Sequence, residues 1–297
     1  MSYNKLVQAT LDTLIDRIAA ADEDNWAAGW VGGGLPRNFT TGNRYTGVNV
    51  LQLWAEAEIK GYQSQQWATW KQWAGAGHTI KEEERKQSSI IMVYKPLFKK
   101  DDHGNTTDEI AGRFFRCYFV YNTEQLEDPP ETTTLPGTEM GGYAERMIGL
   151  AKVNGISMME GGGPPSFWPK HNHVCMPDIK QYRTQEGYAH DLAHELAHAT
   201  GHKSRLNRVF NFDRKSAQYA TEELVAELCS AYTCVDMGIP LQNFEHNSAS
   251  YLVGWAKRAQ KTRGTEDDMS HQLVSASKAA SAAFEYLVAY KSQEKAA

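Results

Sequence analysis

The spacing of apolar residues predicts a first half of mixed helix and strand. Three segments have apolar residues three or four positions apart, the period of a helix with one buried face: residues 5–20, 48–61 and 67–74. Two others alternate apolar and polar residues as strands do: residues 88–98 and 113–121. The polar residues 99–109 between these two strands predict a β-hairpin. The first half is therefore expected to have an α+β fold.

Helical spacing dominates the second half. Good helix formers predict a helix within residues 188–205, with Asp191 near its start and Gly201 as the left-handed residue that ends it. Residues 219–237 predict a second helix, which stops before a Gly-Ile-Pro sequence. Residues 248–290 predict a long helical stretch at the end of the chain.

Composition separates these halves. Residues 123–143 are poor in large apolar side chains and rich in Pro, Thr, Gly and acid, which is typical of a linker. We therefore predict a domain over residues 1–126, a linker over 127–143 and a second domain over 144–297. With 297 residues, the chain is long enough for each domain to bury its own core.

Charge and cysteine content limit the classes of function. The net charge of −5 gives no overall attraction to nucleic acid, so such binding needs a local patch. Hydrophobic residues make up 41% and charged residues 23%, as in soluble globular proteins. We expect neither a membrane span nor a signal peptide. The four cysteines form no CxxC pair, so we expect buried thiols and a cytoplasmic location.

The motif His194-Glu195-x-x-His198 indicates the most specific chemistry. Two histidines four positions apart project from the same face of a helix, and zinc binds imidazole nitrogens that converge on one point. The glutamate between them lies where a general base can act on water. The motif therefore predicts a metal site with His194 and His198 as ligands and Glu195 as the catalytic residue.

A third ligand is expected on the second helix. Glu223 and Glu227 are four positions apart, share a face and have apolar neighbours, so both need a partner. We assign Glu223 as the third ligand and Glu227 as the acceptor of a ligand histidine's other ring N–H, although the spacing also allows the reverse. Glu222 points about a quarter-turn away and is interpreted as part of a solvated face.

Other polar residues near the motif have less defined roles. His190 and His202 continue the four-residue spacing, but neither is expected to bind the metal. In the expected peptidase reaction, Glu195 takes the proton of the attacking water and passes it to the leaving amine. Four residues are candidates for donating a hydrogen bond to the developing oxyanion: Tyr182, Tyr188, His202 and Arg205.

The first half mixes aromatic and basic residues in two stretches. They are Trp26, Trp30, Arg37, Phe39, Arg44 and Tyr45, then Trp67, Trp70, Lys71 and Trp73. Proteins that bind single-stranded nucleic acid combine aromatic faces for stacking with Lys and Arg for the phosphates. A Trp-rich core is nevertheless the simpler explanation of any single tryptophan. Residues 1–126 hold 14 Lys or Arg against 15 Asp or Glu, so nucleic-acid binding is only weakly indicated.

Two sets of motifs resemble the ArdC antirestriction family. The first set comprises Pro36, Asn38, Thr41-Gly42, Tyr45, Gly47, Asn49, Trp54 and Trp67-x-Thr69-Trp70-x-Gln72. The second comprises Cys175-Met176-Pro177, the run from His194 to His202, Arg205-Leu206-x-Arg208 and the run from Tyr219 to Leu228. The motifs cover nearly the whole chain in the family's order. The first domain also resembles one found in plasmid primases of conjugative systems.

This resemblance implies a domain that binds single-stranded DNA without strong sequence preference, joined to a zinc-metallopeptidase-like domain. It also implies a role in protecting entering plasmid DNA from host restriction during conjugation. The expected cofactor is Zn²⁺ or another divalent metal such as Mn²⁺. The expected partners are single-stranded DNA and a protein substrate such as a restriction-enzyme subunit. We assign DNA contact to Arg37, Asn38, Arg44, Tyr45, Trp70 and Lys71.

Two alternative functions stay open at this point. The protein could shield DNA by occupancy alone, with a metal site that is structural or idle. It could instead be a metallopeptidase whose first domain binds protein rather than DNA.

Overall fold

The fold combines helices and strands in both halves, which confirms the α+β class. The computed structural model describes residues 3–21, 34–100, 103, 105–130, 142–161, 163–210, 213, 216–241, 248–264 and 269–289. The candidate aromatic residues Trp26 and Trp30 lie outside the described residues. Within the described ranges, no helix is both long and apolar enough to cross a membrane.

The first half places its helices on the two faces of one sheet. Its elements are α1 (Tyr3–Ala20), β1 (Arg37–Asn38), α2 (Val48–Lys60), β2 (Gln66–Thr69), α3 (Trp70–Gly75), β3 (Ser89–Lys100) and β4 (Thr106–Asn122). The strand order is β1–β2–β4–β3, with β1 parallel to β2 and the other pairs antiparallel. The first two predicted helices and both predicted hairpin strands are confirmed, and the strands are longer than predicted.

The helix predicted over residues 67–74 is wrong in its first part. Residues Gln66–Thr69 form a strand, and the side chains of Trp67 and Ala68 are both buried. A strand with two buried faces loses the alternation of apolar and polar residues, so its pattern resembles that of a helix. Helix α3 begins only at Trp70, because the hydroxyl of Thr69 accepts from the N–H of Gln72 and the Gln72 side chain accepts from the N–H of Thr69.

The second half places a small sheet beside a group of long helices. Its elements are α4 (Tyr143–Val153), β5 (Ser157–Glu160), β6 (Ser166–Trp168), β7 (His173–Met176), α5 (Gln185–Thr200), α6 (Ala217–Asp236), α7 (Ser248–Thr262) and α8 (Ser270–Val288). The strand order is β5–β7–β6, with β5 parallel and β6 antiparallel to β7. Short 3-10 helices lie at Glu82–Glu84, Thr123–Gln125 and Ile179–Gln181.

Helix α5 differs from the prediction at both ends. It begins at Gln185 rather than near Asp191, because the Thr184 hydroxyl caps the first turn by accepting from the N–H of Gly187. It ends at Gly201, but Gly201 has a right-handed φ of −75°, so the predicted left-handed conformation is wrong. The single helical stretch predicted over residues 248–290 is two helices, with Gly264 in the left-handed region at a φ of 73° after α7.

The two halves share one hydrophobic core. Leu14 and Leu51 of the first half belong to the same cluster of buried side chains as Leu252 and Phe284 of the second. Helix α1 packs against α7, and Arg263 just after α7 donates to the Asp16 carboxylate over 2.7 Å. The boundaries at residues 126 and 144 stay a prediction, and the shared core favours halves that unfold together over domains that move independently.

The shared core leads to a stability prediction. Leu14 is fully buried between the halves, so Leu14→Ala should lower the free energy of unfolding by about 2–5 kcal/mol. Denaturant unfolding followed by tryptophan fluorescence and by circular dichroism should give one transition at a lower midpoint. Thr13→Ala, on the exposed side of α1, is the matched control and should change stability by less than about 0.5 kcal/mol. Two separate transitions, only one of them shifted, would show independent halves.

Candidate functional site

Helices α5 and α6 pack together and bring the predicted metal ligands to one point. His194 and His198 lie one turn apart on α5, with their Nε2 atoms 3.1 Å apart. Glu223 on α6 faces both rings: its Oε2 is 3.6 Å from Nε2 of His194, and its Oε1 is 3.6 Å from Nε2 of His198. One donor atom from each residue lies within 4.8 Å of the other two.

These separations suit a tetrahedral metal ion. Ligand atoms about 2.0–2.1 Å from zinc in a tetrahedral site are about 3.3–3.4 Å apart, close to the distances between the three donors. Two imidazole nitrogens and one carboxylate oxygen are also a donor set that zinc and related divalent metals accept. The residues present therefore fit a divalent metal without rearrangement of the helices.

Glu227 contacts the opposite side of the His194 ring. Its Oε1 is 3.3 Å from Nδ1 of His194, whereas Nε2 of the same ring faces His198 and Glu223. A carboxylate in this position can accept the Nδ1–H hydrogen bond and so leave Nε2 unprotonated for a metal.

Glu222 is not part of a solvated face, and this interpretation of the sequence is wrong. The residue is only 8% exposed, and its Oε1 is 3.2 Å from Nδ1 of His198. Arg208 binds the same carboxylate through two nitrogens, with Nε 3.0 Å from Oε2 and Nη2 2.7 Å from Oε1. The missed signal is that Glu222 is three and four residues before the buried Val225 and Ala226, on the apolar side of α6.

Arg208 explains why a glycine ends helix α5. The guanidinium of Arg208 also donates to the Thr200 hydroxyl and to the Ala197 carbonyl, both over 2.8 Å. A Cβ atom on Gly201 would lie 2.9 Å from Nη2 of Arg208 and 2.7 Å from Cζ of Phe210. Glycine is therefore required for close packing of the arginine, and not for a left-handed backbone.

The charges of this cluster compensate one another. Burial by itself lowers the pKa of His194, but the carboxylates of Glu227 and Glu223 outweigh burial and raise that pKa well above its ordinary value. Burial raises the pKa of Glu222, but hydrogen bonds from His198 and Arg208 more than offset it and leave the pKa lowered. The pKa of Glu223 is lowered in the same way, against burial, by the hydrogen bond from His194.

Glu195 lies on the same helix between the two histidines and is 8% exposed. Nearby, the hydroxyl of Tyr182 donates to Asp191 over 3.0 Å. Burial and the negative charges of Asp191 and Glu195 raise the pKa of Tyr182, so this phenol keeps its proton and can act as a donor.

The other candidate oxyanion donors have different surroundings. Tyr188 is buried, and Arg205 donates to the Asn172 side chain over 2.6 Å and to the Ala199 carbonyl over 3.0 Å. Nδ1 of His202 is 2.7 Å from the Ser204 hydroxyl. Among the described residues, neither His202 nor the buried His190 belongs to the group of donors that could hold a metal.

Several residues assigned to DNA contact form a hydrogen-bond network instead of an open surface. The amide of Asn38 donates to the Tyr45 hydroxyl and exchanges hydrogen bonds with the Gln72 amide, all at 3.2 Å. The Asn38 carbonyl oxygen also accepts from the N–H of Thr41. Arg37 is half-buried beside this network, and burial together with the charge of Arg44 lowers its pKa.

Arg44 joins the first half to α6, the helix that carries Glu222, Glu223 and Glu227. Its guanidinium forms an ion pair with Asp236, the last residue of α6, and lies 3.7 Å from Glu285 of α8. It also lies over the Phe284 ring, 5.1 Å from the centroid. The charge of Arg44 is thus compensated within the fold.

Trp70 and Lys71 remain at the surface. Trp70 is 60% exposed and Lys71 is exposed, both in the first turn of α3. By contrast, Trp67 and Trp73 are fully buried, as the interpretation of a Trp-rich core predicts.

Two family profiles match the chain in succession. The N-terminal domain of anti-restriction factor ArdC matches residues 4–121, and a zincin-like metallopeptidase matches residues 145–265. The second match contains His194, His198 and Glu223.

Two known proteins are similar to this chain in sequence. The uncharacterized protein y4eC of Sinorhizobium fredii (strain NBRC 101917 / NGR234) is 32% identical over 227 residues, covering 74% of this chain and 72% of that protein. A DNA primase TraC of Escherichia coli is 28% identical over 273 residues, covering 84% of this chain but only 24% of the primase. The chain therefore corresponds to about a quarter of that primase.

Solved structures extend the similarity to the whole fold. The antirestriction ArdC protein from plasmid R388 is 27% identical and has a TM-score of 0.72 in both its metal-free and its Mn(II)-bound crystal structures. The metal-free structure covers 95% of this chain and 98% of its own, and the Mn(II)-bound structure covers 98% and 97%. Together with the two family profiles, these matches show that the chain belongs to the ArdC-type antirestriction family, with an ArdC N-terminal domain followed by a zincin-like metallopeptidase domain.

Proposed function

We propose that this protein binds single-stranded DNA without strong sequence preference and carries a metallopeptidase-type site, and that it protects incoming plasmid DNA from host restriction during conjugation. The observation that carries the proposal is the convergence of His194, His198 and Glu223 beside Glu195. The zincin-like family and the Mn(II)-bound structure of the R388 protein support it. The proposed peptide substrate is a restriction-enzyme subunit, which the protein would meet in the cytoplasm.

His194 and His198 through Nε2, and Glu223 through a carboxylate oxygen, are the proposed ligands of Zn²⁺ or of another divalent metal such as Mn²⁺. A divalent ion held there supplies Lewis acidity toward a peptide carbonyl and toward water. Three protein donors leave one position of a tetrahedral site for water or substrate, which is the arrangement of catalytic rather than structural sites.

Glu195 is the proposed general base and acid. Its carboxylate takes a proton from the attacking water and then delivers that proton to the amine nitrogen as the C–N bond breaks. The two transfers return Glu195 to its starting state, so it can act in every cycle. Tyr182, which keeps its proton, is one of four candidates for donating to the developing oxyanion, together with Tyr188, His202 and Arg205.

Two carboxylates orient the ligand rings. Glu227 accepts the Nδ1–H of His194, and Glu222 accepts the Nδ1–H of His198. Each Nε2 is then unprotonated and can direct its lone pair at a metal ion held between the two rings and Glu223. Arg208 fixes Glu222 through two hydrogen bonds. We therefore propose Glu223 as the ligand and Glu227 as the hydrogen-bond acceptor, and not the reverse, because Glu227 faces the ring nitrogen of His194 that points away from His198.

The DNA-binding part of the proposal rests on the ArdC N-terminal domain and on the similarity to a DNA primase. Of the six residues assigned to DNA contact, Trp70 and Lys71 are available at the surface for stacking and for phosphate binding. Asn38 and Tyr45 would support the binding surface through their hydrogen-bond network, beside which Arg37 lies, and Arg44 would support it through its ion pair with Asp236.

The ligand assignment predicts graded losses of metal affinity. Glu227→Ala should weaken Mn²⁺ or Zn²⁺ binding about 10–100-fold, because an orienting hydrogen bond is lost, and Glu223→Ala should weaken it more. Isothermal titration calorimetry measures both. Glu186→Ala, in the first turn of α5 and outside the donor group, is the control. If Glu223→Ala binds metal as tightly as the unchanged protein, the third ligand is Glu227 or another residue.

Replacing Glu195 tests whether the site cuts. Glu195→Gln should retain metal binding and lose cleavage of the restriction-enzyme subunit, because the base is lost while the ligands remain. The measurements are plasmid transfer into a restricting host and the level of each restriction subunit by immunoblot, with Glu186→Gln as the control. If Glu195→Gln protects plasmid DNA as well as the unchanged protein, protection works by occupancy and the proteolytic mechanism is wrong.

DNA binding should not require the metal. The exposed residues Trp70 and Lys71 lie on α3, whereas the proposed ligands lie on α5 and α6. Fluorescence anisotropy with a labelled single-stranded oligonucleotide should therefore give the same affinity before and after chelation, and a weaker affinity for the matching duplex. Loss of binding on chelation, restored by Mn²⁺, would contradict separate sites.

A further inference from the structure

The β3–β4 hairpin extends beyond the rest of its sheet. Strand β2 pairs only with residues 120–122 of β4, so the preceding residues of β4 have β3 as their neighbour. Large apolar side chains are usually covered, yet this two-stranded part exposes Tyr94, Leu97, Phe98, Ile110, Phe114 and Phe119. These side chains are divided between the two faces of the hairpin, with Phe114 on one face and Tyr94 and Phe119 on the other, so each face presents apolar surface to solvent.

One face of the hairpin alternates aromatic and basic residues. Side chains of a strand alternate between faces, so Phe114, Arg116 and Tyr118 of β4 lie on the same face. Register places Lys95 of β3 opposite Phe114 and Val93 opposite Arg116, on that face as well. Phe119 lies on the other face of β4. It is exposed to a similar degree as Phe114 and therefore serves as a control residue outside this face.

The aromatic-basic face is partly buried at its inner end and more exposed at its outer end. Tyr118 and Val93 pack partly buried against a core cluster that contains Trp67 and Val120. Phe114, four residues further along β4, is 42% exposed. The face therefore runs from the core of the first half, where Tyr118 packs, into solvent at Phe114.

The basic residues on this face are available to an anion. Within the described part of the chain, no carboxylate lies at ion-pair distance from Lys95 or from Arg116. The Arg116 guanidinium lies over the Tyr118 ring, 5.2 Å from the centroid. By contrast, the cavity beside Trp70 is lined by Arg85, which directly follows the acidic 3-10 helix Glu82–Glu84. Phosphate binding is thus favoured on the hairpin.

We propose that the face formed by Phe114, Arg116 and Lys95 is a platform for single-stranded DNA, with a base stacked on the exposed Phe114 ring and phosphates bound by the two cations. Arg116 is two residues from Phe114 on the same face of β4, and Lys95 is directly opposite Phe114 on β3, so both cations lie beside the ring. Stacking on aromatic faces tolerates any base, so the platform suits binding without sequence preference. This inference rests on the proposed binding of single-stranded DNA and adds the hairpin to the surface that Trp70 and Lys71 provide.

The test compares two exposed phenylalanines of one strand in the full-length protein. Phe114→Ala should weaken binding of a labelled mixed-sequence oligonucleotide roughly 5–150-fold, because one base loses its stacking partner. Phe119→Ala, 52% exposed on the opposite face, should change the affinity less than about twofold. Phe114→Trp keeps an aromatic face and should restore binding, which a loss of folding stability alone would not explain.

Salt dependence tests the two cations separately. Lys95→Gln combined with Arg116→Gln should reduce the magnitude of the slope of log K against log salt by about 1.4, or about 0.7 for each phosphate contact with a single strand. The same substitutions should leave metal affinity unchanged, because neither residue is near the proposed ligands.

The outcomes separate the platform from the proposed function. If the unchanged protein does not bind single-stranded DNA, both the function and the platform are wrong. If it binds, but Phe114→Ala and the double variant bind with unchanged affinity and slope, only the platform is wrong. Equal losses from Phe119→Ala and Phe114→Ala would also overturn the assignment to one face. If Phe114→Ala changes the sedimentation coefficient of the protein but not its affinity for DNA, the platform is wrong and this face contacts a second copy of the protein instead.

Discussion

The packing of helices α5 and α6 depends on the mutual neutralisation of buried charges. Glu222, Glu223 and Glu227 all face α5, and a buried carboxylate is costly unless hydrogen bonds or opposite charges compensate it. His194 and His198 provide part of the compensation and Arg208 the rest. The same contacts that stabilise the helix pair leave one nitrogen of each ring directed at Glu223. The convergence of His194, His198 and Glu223 is therefore a consequence of the hydrogen bonds and ion pairs that compensate the buried charges.

Two arginines that belong to neither α5 nor α6 hold helix α6 near its two ends. Arg208 fixes Glu222 in the second turn, and Arg44 forms an ion pair with Asp236 at the end. Because Arg44 belongs to the first half, the position of the helix that carries the carboxylates depends on both halves of the chain. The shared hydrophobic core has the same consequence, since α1 packs on α7 within one continuous cluster.

The motif residues of the first half contribute mainly to internal structure. Tyr45 and Gln72 both form hydrogen bonds with Asn38, and Gln72 also caps α3, which sets the position of the exposed Trp70. The surface proposed for single-stranded DNA lies instead on the hairpin, where the exposed Phe114 lies beside Lys95 and Arg116, and these residues belong to neither set of motifs. The motifs by which the family is recognised therefore identify residues that hold the first half together, and they do not by themselves identify the residues that contact a partner.

The sequence alone determined the α+β class, the hairpin, the two long helices of the site and the two-histidine motif, because these depend on residue spacing within a single element. It did not determine the strand at Trp67, since a strand covered on both faces loses its alternation, nor the right-handed end of α5, where Gly201 is needed for contact with Arg208. The roles of Glu222 and Arg44 depend on partners 24 and 192 residues away. Contacts between elements so distant in sequence are set by packing, and only the tertiary structure decides them.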